Sequence, residues 1–259
     1  MWRWPVVGPK KTLSDNARGK VFAIHAKLIA IAARSGGDPA MNPALYDALE
    51  KARKANVPAD NIERAIKKGT GADKDGTEIT EIIYEGYSPW GVAIVVKTLT
   101  DNRNRTAKNM RHTFSEYGGN LGETGSVSSF AFKYQGYVEA PVGVHSMDQW
   151  EEWIIESGAS DYEFLEDATK VRISTERTDL MGVVKFLKGQ GLMLDSYGLE
   201  YFAINVINLE DPEKILKLYA LLADLEDDDD VEQVWHNAEV SPELWQQAEE
   251  AMSKWKFRT

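Results

Sequence analysis

The sequence predicts an α+β protein: an N-terminal helical bundle plus two α+β domains, the last inserted into the central one. Three observations lead there. Apolar residues recur at helical spacing from Ala17 to Ile66; β-branched strands and helices alternate from Ile79 onward; a separate set of helix and strand patterns fills residues 137–200. The expected domains are residues 1–76, basic and helical; residues 77–136 with 201–259, central; and residues 137–200, inserted.

The first helix begins with Ser14 or Asp15 as cap. It carries Ala17, Val21, Ile24, Leu28 and Ile31 on its apolar face and closes at Gly36-Gly37. The second has Asn42 as N-cap, Pro43 at the first helical position and Leu45, Leu49 and Ala52 as its buried stripe. A third starts near Pro58, buries Ile62, Ala65 and Ile66, and stops at Gly69. Gly69 to Gly76 has linker composition.

Strands follow from Ile79 to Tyr84 and from Gly91 to Leu99, with a turn between them. Asp101 or Asn102 caps a helix running from Arg103 to about Tyr117, and Ser126 to Tyr134 reads as a further strand. The inserted domain supplies a helix around Trp150, Trp153 and Ile154, a strand from Lys170 to Ser174 and a helix from Leu180 to Leu187. Residues 201–209, a helix after Asp211-Pro212 and a strand from Val231 to Trp235 complete the central domain. The acidic run Glu226 to Asp230 reads as a solvated loop.

Composition narrows the function. Zero cysteines exclude disulfides, thiolate catalysis and cysteine-based zinc sites. No stretch approaches the roughly 18 apolar residues of a membrane span, and the opening residues lack a signal-peptide pattern, so the expected location is cytoplasmic and no membrane partner is expected. His25, His112, His145 and His236 are scattered without an H-x-x-x-H pair. Neither a phosphate-wrapping glycine motif nor a nucleophile elbow is present, so the expectation is a protein that is no enzyme, with no cofactor, no metal and no small-molecule substrate.

Charge points to nucleic acid despite a net charge of −11. Residues 1–76 hold 14 Lys and Arg against 8 Asp and Glu; the rest of the chain holds 16 against 33. Within the basic segment Lys20, Lys27 and Arg34 fall seven apart on one helix face; Arg64, Lys67 and Lys68 form a second group, and Lys10-Lys11 lie in an N-terminal arm with Trp2 and Trp4. Arg103 and Arg105 occupy the first turn of their helix, where the dipole disfavours cations. Either a phosphate relieves that conflict through backbone N–H groups and both guanidinium forks, or the arginines pair with a surface acid such as Asp101.

Asn61-Ile-Glu-Arg-Ala-Ile-Lys-Lys-Gly-Thr-Gly71, Tyr84-Glu-Gly-Tyr87, Thr100-Asp-Asn-Arg-Asn-Arg-Thr106, Arg111-His112, Gly118-Gly-Asn-Leu-Gly122 and Gly125-Ser-Val127 closely resemble the YebC/PmpR family. The resemblance spans about Ala17 to Asn237 and is densest between residues 56 and 127. It implies a three-domain crescent. It also implies regulation of gene expression, either as a ribosome-associated translation factor contacting rRNA, including relatives that relieve stalling at proline-rich sequences, or as a DNA-binding transcriptional regulator. The basic positions it transfers are Arg18, Lys20, Arg64, Lys67, Lys68, Arg103, Arg105 and Arg111. The chain departs from the family at its N-terminal arm, which reads Trp2-Arg3-Trp4-Pro5, and at the turn Ser88-Pro-Trp-Gly91, where Trp90 is either an exposed contact or a packed lid.

Overall fold

A computed structural model describes residues 15–72, 78–165 and 168–256. In chain order the elements are α1 (Asp15–Ala32), α2 (Pro43–Lys54), α3 (Ala59–Gly69), β1 (Thr80–Tyr87), β2 (Ala93–Thr100), α4 (Arg103–Glu116), β3 (Asn120–Leu121), α5 (Ser128–Ala131), β4 (Phe132–Pro141), α6 (Met147–Ser157) and β5 (Asp161–Leu165). They continue as β6 (Lys170–Thr175), α7 (Leu180–Gly189), β7 (Ser196–Ala203), β8 (Ile207–Asn208), α8 (Pro212–Asp227), β9 (Val231–His236), β10 (Ala238–Glu239) and α9 (Pro242–Lys256). Two compact units result, one of Met1–Val127 with Asn205–Thr259 and one of Ser128–Ile204.

In the first unit the helical bundle forms, but α1 and the turn after it bring Phe22, Ala26, Ile29 and Ala33 into its core, whereas Ile24, Leu28 and Ile31 of the expected stripe pack partly buried against Ala30, Ile79 and Leu99. Leu45, Leu49 and Ala52 are buried with Ile29, Ala33, Val57 and Ala65. The Asn42 side chain accepts from the Leu45 N–H at 3.1 Å, and its amide donates to the carbonyls of Ala32 and Gly36, both at 2.8 Å. One cap residue thereby ends α1 and starts α2. α3 packs backbone to backbone on α1: a Cβ at Gly69 would lie 2.3 Å from the Ala30 carbonyl oxygen.

The same unit holds an antiparallel sheet ordered β3-β1-β2-β9, with Tyr84 opposite Val96 and Val96 opposite Val234. Met110 and Phe114 of α4 and Ile215, Leu218 and Leu222 of α8 bury against Ile94, Val96 and Val234 of this sheet. Trp90 packs partly buried on that core, which makes it a lid. Bundle and sheet meet at a smaller seam of Ala30, Ile79 and Leu99.

The second unit is a sheet ordered β5-β6-β4-β7, antiparallel throughout. Trp150 and Ile154 of α6 and Val183 and Leu187 of α7 form its core with Val138, Val171 and Ile173. Buried Arg172 is held between the carboxylates of Glu139 and Glu200, with the Tyr137 ring 4.7 Å from its guanidinium carbon.

Two boundaries differ from the expected ones. The insertion begins at Ser128 rather than at residue 137, and ends at Ile204 rather than at 200. Ser126 to Tyr134 is not one strand. Gly125 has φ 85° and the Gly125 and Val127 N–H groups bind Glu85, so the chain turns into α5 before β4 starts at Phe132. Gly136, read as a boundary, lies mid-strand, where a Cβ would come within 2.3 Å of the Thr175 hydroxyl. Residues 201–209 also divide. Tyr201 to Ala203 belong to β7, whereas Ile207 and Asn208 pair in parallel with β10, locked by Asn237, which accepts from the Ala93 N–H at 2.7 Å and donates to the Asn205 carbonyl at 2.6 Å.

Candidate nucleic-acid interface

The start of α4 is built from the motif Thr100 to Thr106. Asn102 has extended φ and ψ, and its side chain accepts from the Arg105 N–H at 3.1 Å, so it is the N-cap. The Thr100 hydroxyl accepts from the Asn102 N–H at 2.9 Å and lies 2.7 Å from the Thr106 hydroxyl. Arg103 and Arg105 therefore do lie in the first turn, as the spacing predicts.

The anion that relieves Arg105 comes from the chain itself. Asp230, only 4% exposed, accepts from the Arg105 guanidinium at 2.8 Å, the Thr106 hydroxyl at 2.8 Å and the Thr100 hydroxyl at 3.2 Å through one oxygen, and from Lys27 at 2.9 Å through the other. Burial works to raise its pKa, but the bonds from Arg105, Lys27 and Thr106 outweigh that and hold it down to about 2. Asp101 gives Arg105 a second partner at 3.0 Å. The acidic run is thus no simple solvated loop. Its last member is a buried anchor, and its Asp228 carboxylate accepts from the Asp230 N–H at 2.8 Å and from Asn109 of α4 at 2.9 Å.

The heptad cations, Lys20 and Lys27 of α1 and Arg34 in the turn just past its end, are all turned toward the protein. Lys20 donates to the carbonyls of Glu226 and Asp228, Lys27 to the Asp229 carbonyl and the Asp230 carboxylate, and Arg34 to the Ile79 carbonyl and the Glu78 carboxylate. The physical reason is complementarity. The last turn of α8 and the residues before β9 offer acceptors along the two helical turns that carry Lys20 and Lys27, and the segment leading into β1 offers them to Arg34.

The remaining positions distribute differently. Arg18 is exposed near the start of α1; Arg64 bonds the Asp60 carbonyl and the Asn61 side chain; Lys67 is exposed and Lys68 half-buried in the last turn of α3, where cations suit the dipole. Lys10, Lys11, Trp2 and Trp4 lie outside the described residues. Arg103 and Arg111 are exposed, and among the described residues neither has a hydrogen-bond or ion-pair partner. Both act on the Tyr84 hydroxyl, pulling its pKa down while burial and Asp230 push it up to a net rise. Lys108, exposed on the same helix, is a cation that sequence reasoning passed over, although its place three residues before Arg111 marks it.

Glu85 was also passed over. Its two carboxylate oxygens accept from the Gly125 and Val127 N–H groups, both at 2.8 Å, and its carbonyl accepts from Gly122 at 2.7 Å. The Tyr84-to-Tyr87 motif and the glycine-rich motif are thus two halves of one turn. Among the described residues no group of three or more His, Cys, Asp or Glu could hold a metal ion, and no helix is long and apolar enough to cross a membrane.

Comparison with known proteins matches residues 3–72 to the TACO1/YebC protein N-terminal domain and residues 79–238 to the TACO1/YebC second and third domain. A protein of Persephonella marina named as a probable transcriptional regulatory protein is 42% identical over 243 residues, covering 93% of this chain and 96% of its own. One of Aquifex aeolicus with the same name is 41% identical, covering 94% and 96%. The crystal structure of a conserved hypothetical protein from Aquifex aeolicus superposes with a TM-score of 0.79 at 40% identity, covering 92% of this chain and 97% of that one.

Proposed function

We propose, from the premise that the chain belongs to the TACO1/YebC family, that it is a non-enzymatic nucleic-acid-binding regulator of gene expression. Within that class we read it as a ribosome-associated factor that contacts rRNA and aids elongation through proline-rich sequences. The observation that carries the binding role is the exposed, unpartnered Arg103 and Arg111 on a helix whose other first-turn arginine is neutralised internally. In a chain with a net charge of −11, two free guanidinium groups near enough to act by charge on Tyr84 favour a ligand that brings negative charge and a planar surface. Phosphates fit the first need and unstacked bases the second, which favours RNA.

A second reading, a DNA-binding transcriptional regulator, is favoured by the names of the relatives. Among the described residues α1, α2 and α3 present no exposed row of Asn, Gln and Arg suited to base edges, so this reading relies on backbone and shape. Co-sedimentation separates the two. The ribosomal reading expects the chain in ribosomal fractions of a low-salt sucrose gradient, enriched on ribosomes stalled at proline codons. Absence from those fractions, with promoter DNA bound more tightly than unrelated DNA at physiological salt, supports the second reading instead.

A further inference from the structure

The second unit leaves a strand edge without a neighbour on its most acidic side. β5 is the outermost strand of the order β5-β6-β4-β7, and among the described residues no strand pairs with its outer side. Alternate residues of such a strand turn their N–H and C=O groups outward, and here the Tyr162 N–H takes the Asp161 carboxylate in an exposed bond of 2.8 Å. Asp161 to Leu165 include no lysine, proline or glycine of the kind that blunts an edge. An edge in that condition is a template for a further strand.

The two faces flanking the edge differ in chemistry. Tyr162 and Phe164 stand opposite Ile173 and Val171 and pack partly buried on the core, their rings 5.7 Å apart and edge to face. Asp161 and Glu163 fall on the other face of the sheet, as alternate residues must. Glu163 lies opposite Arg172, but that guanidinium is already held by Glu139 and Glu200. Among the described residues neither Asp161 nor Glu163 has an ion-pair partner of its own.

The helix beside the edge adds to the charge. α6 carries Asp148, Glu151, Glu152 and Glu156 and no basic residue, and Glu151 bonds the Tyr162 hydroxyl. One turn past Glu151, Ile155 is 75% exposed. The opposite edge strand, β7, offers no such selection, because its one carboxylate, Glu200, is buried.

These charges decide the occupant. In an antiparallel pair of two β5 strands centred on Glu163, the two Glu163 carboxylates lie directly opposite, which disfavours a second copy. A nucleic-acid strand brings more negative charge to the same acids. A polypeptide with cations at alternate positions matches both the open backbone groups and the carboxylates.

We propose that the outer side of β5 docks an extended, lysine- or arginine-rich segment of a partner protein, which adds to the four-stranded sheet as a fifth strand. Its cations align with Asp161 and Glu163, and the apolar residues between them lie on the side of Tyr162 and Phe164. This surface uses none of the residues assigned to nucleic acid, so its failure leaves that reading untouched.

The test uses the full chain and a fluorescein-labelled peptide of alternating lysine and valine, about seven residues long to match a strand. Binding is read by anisotropy at low salt and by amide exchange of residues 161–165. One control peptide alternates glutamate and valine; the other is the lysine peptide with every backbone amide N-methylated, which keeps the charge and removes the donors. Wild type is expected to bind the lysine peptide, with protection of the β5 amides, and to bind both controls far more weakly. D161N/E163Q is expected to bind it about three- to tenfold more weakly than E63Q/E123Q, a variant of equal charge altered at exposed positions of the first unit. D161K/E163K is expected to prefer the glutamate peptide. The proposal is overturned if wild type does not bind, if the N-methylated peptide binds equally, if D161N/E163Q matches E63Q/E123Q, or if D161K/E163K still prefers lysine. Protection of the β5 amides as the chain alone is concentrated shows a second copy filling the edge and also overturns it. Should D161N/E163Q not fold, the lysine peptide and its methylated form on wild type decide alone.

Discussion

The Asp230 carboxylate and the Arg105 guanidinium meet at 2.8 Å across 125 residues of sequence, and around that pair the start of α4, the first helix of the bundle and the edge strand β9 are tied together. Replacing Asp230 with Ala leaves Lys27, Thr100 and Thr106 without this acceptor in a nearly closed site. The expected cost is about 3–5 kcal/mol, read as a fall in the urea midpoint with little change in slope. A loss below about 1 kcal/mol shows that the network is not what joins these elements.

The same carboxyl sets an acid limit. Its folded pKa of about 2 lies below its ordinary value of 3.8, so the bonds stabilise fully above about pH 4 and the stabilisation is lost as pH falls through about 2. The amount is on the order of 2 kcal/mol. Stability measured from pH 5 to pH 2 is expected to fall more steeply in wild type than in Asp230→Asn.

His236 acts in a different window. It is fully buried, its Nδ1 accepts from the Ala238 N–H at 3.2 Å, its ring stacks on Trp245, and burial pulls its pKa down to about 3. The neutral ring is the folded form, so stability is complete above about pH 6.5 and declines as pH falls toward 3, by roughly 2 kcal/mol at pH 5. His236→Asn, which keeps an acceptor near Nδ1, is expected to flatten the profile between pH 6.5 and 5; an unchanged profile contradicts the assignment.

Glu85 closes the glycine-rich turn. Glu85→Gln sets an amide donor against one of the Gly125 and Val127 N–H groups and is expected to cost about 2–3 kcal/mol, with faster exchange of both amides. Exchange confined to wild-type rates shows that the turn stands without it.

Glycines give a paired test of packing. A methyl at Gly86 would come within 2.6 Å of the Phe114 ring and 2.7 Å of the Asn120 carbonyl oxygen, whereas at Gly182 in α7 it would meet nothing within 4 Å. Gly86→Ala is expected to lower thermal stability by about 1–3 kcal/mol and Gly182→Ala to raise it by about 0.5–1 kcal/mol. Equal effects contradict the close approach of β1 to α4.

What was legible in the sequence is what short-range chemistry dictates. Asn42-Pro43 and Asp211-Pro212 start their helices where read, and Asn102 proves the cap among the two candidates Asp101 and Asn102, because cap and proline signals act within four residues. Strands next to the insertion were misplaced because pairing, not local pattern, decides where β4 begins and β7 ends. The helix Pro242–Lys256 was missed as well, although Trp245, Ala248 and Met252 fall at helical spacing. At the site, the helix start and its arginines were visible, but no local signal distinguishes Asp230 from the four acids that precede it. Only the fold, by carrying β9 alongside β2, selects which aspartate is buried beside Arg105.

The central claim is that the free arginines of α4 grip phosphate. It is tested most directly by comparing RNA affinity, across a salt titration, between wild type and Arg103→Ala/Arg111→Ala, with folding stability measured alongside. The expected result is at least a tenfold loss of affinity at low salt and a shallower slope by about one to two units, with stability within about 0.5 kcal/mol of wild type. Wild-type affinity and slope in the double variant contradict the account.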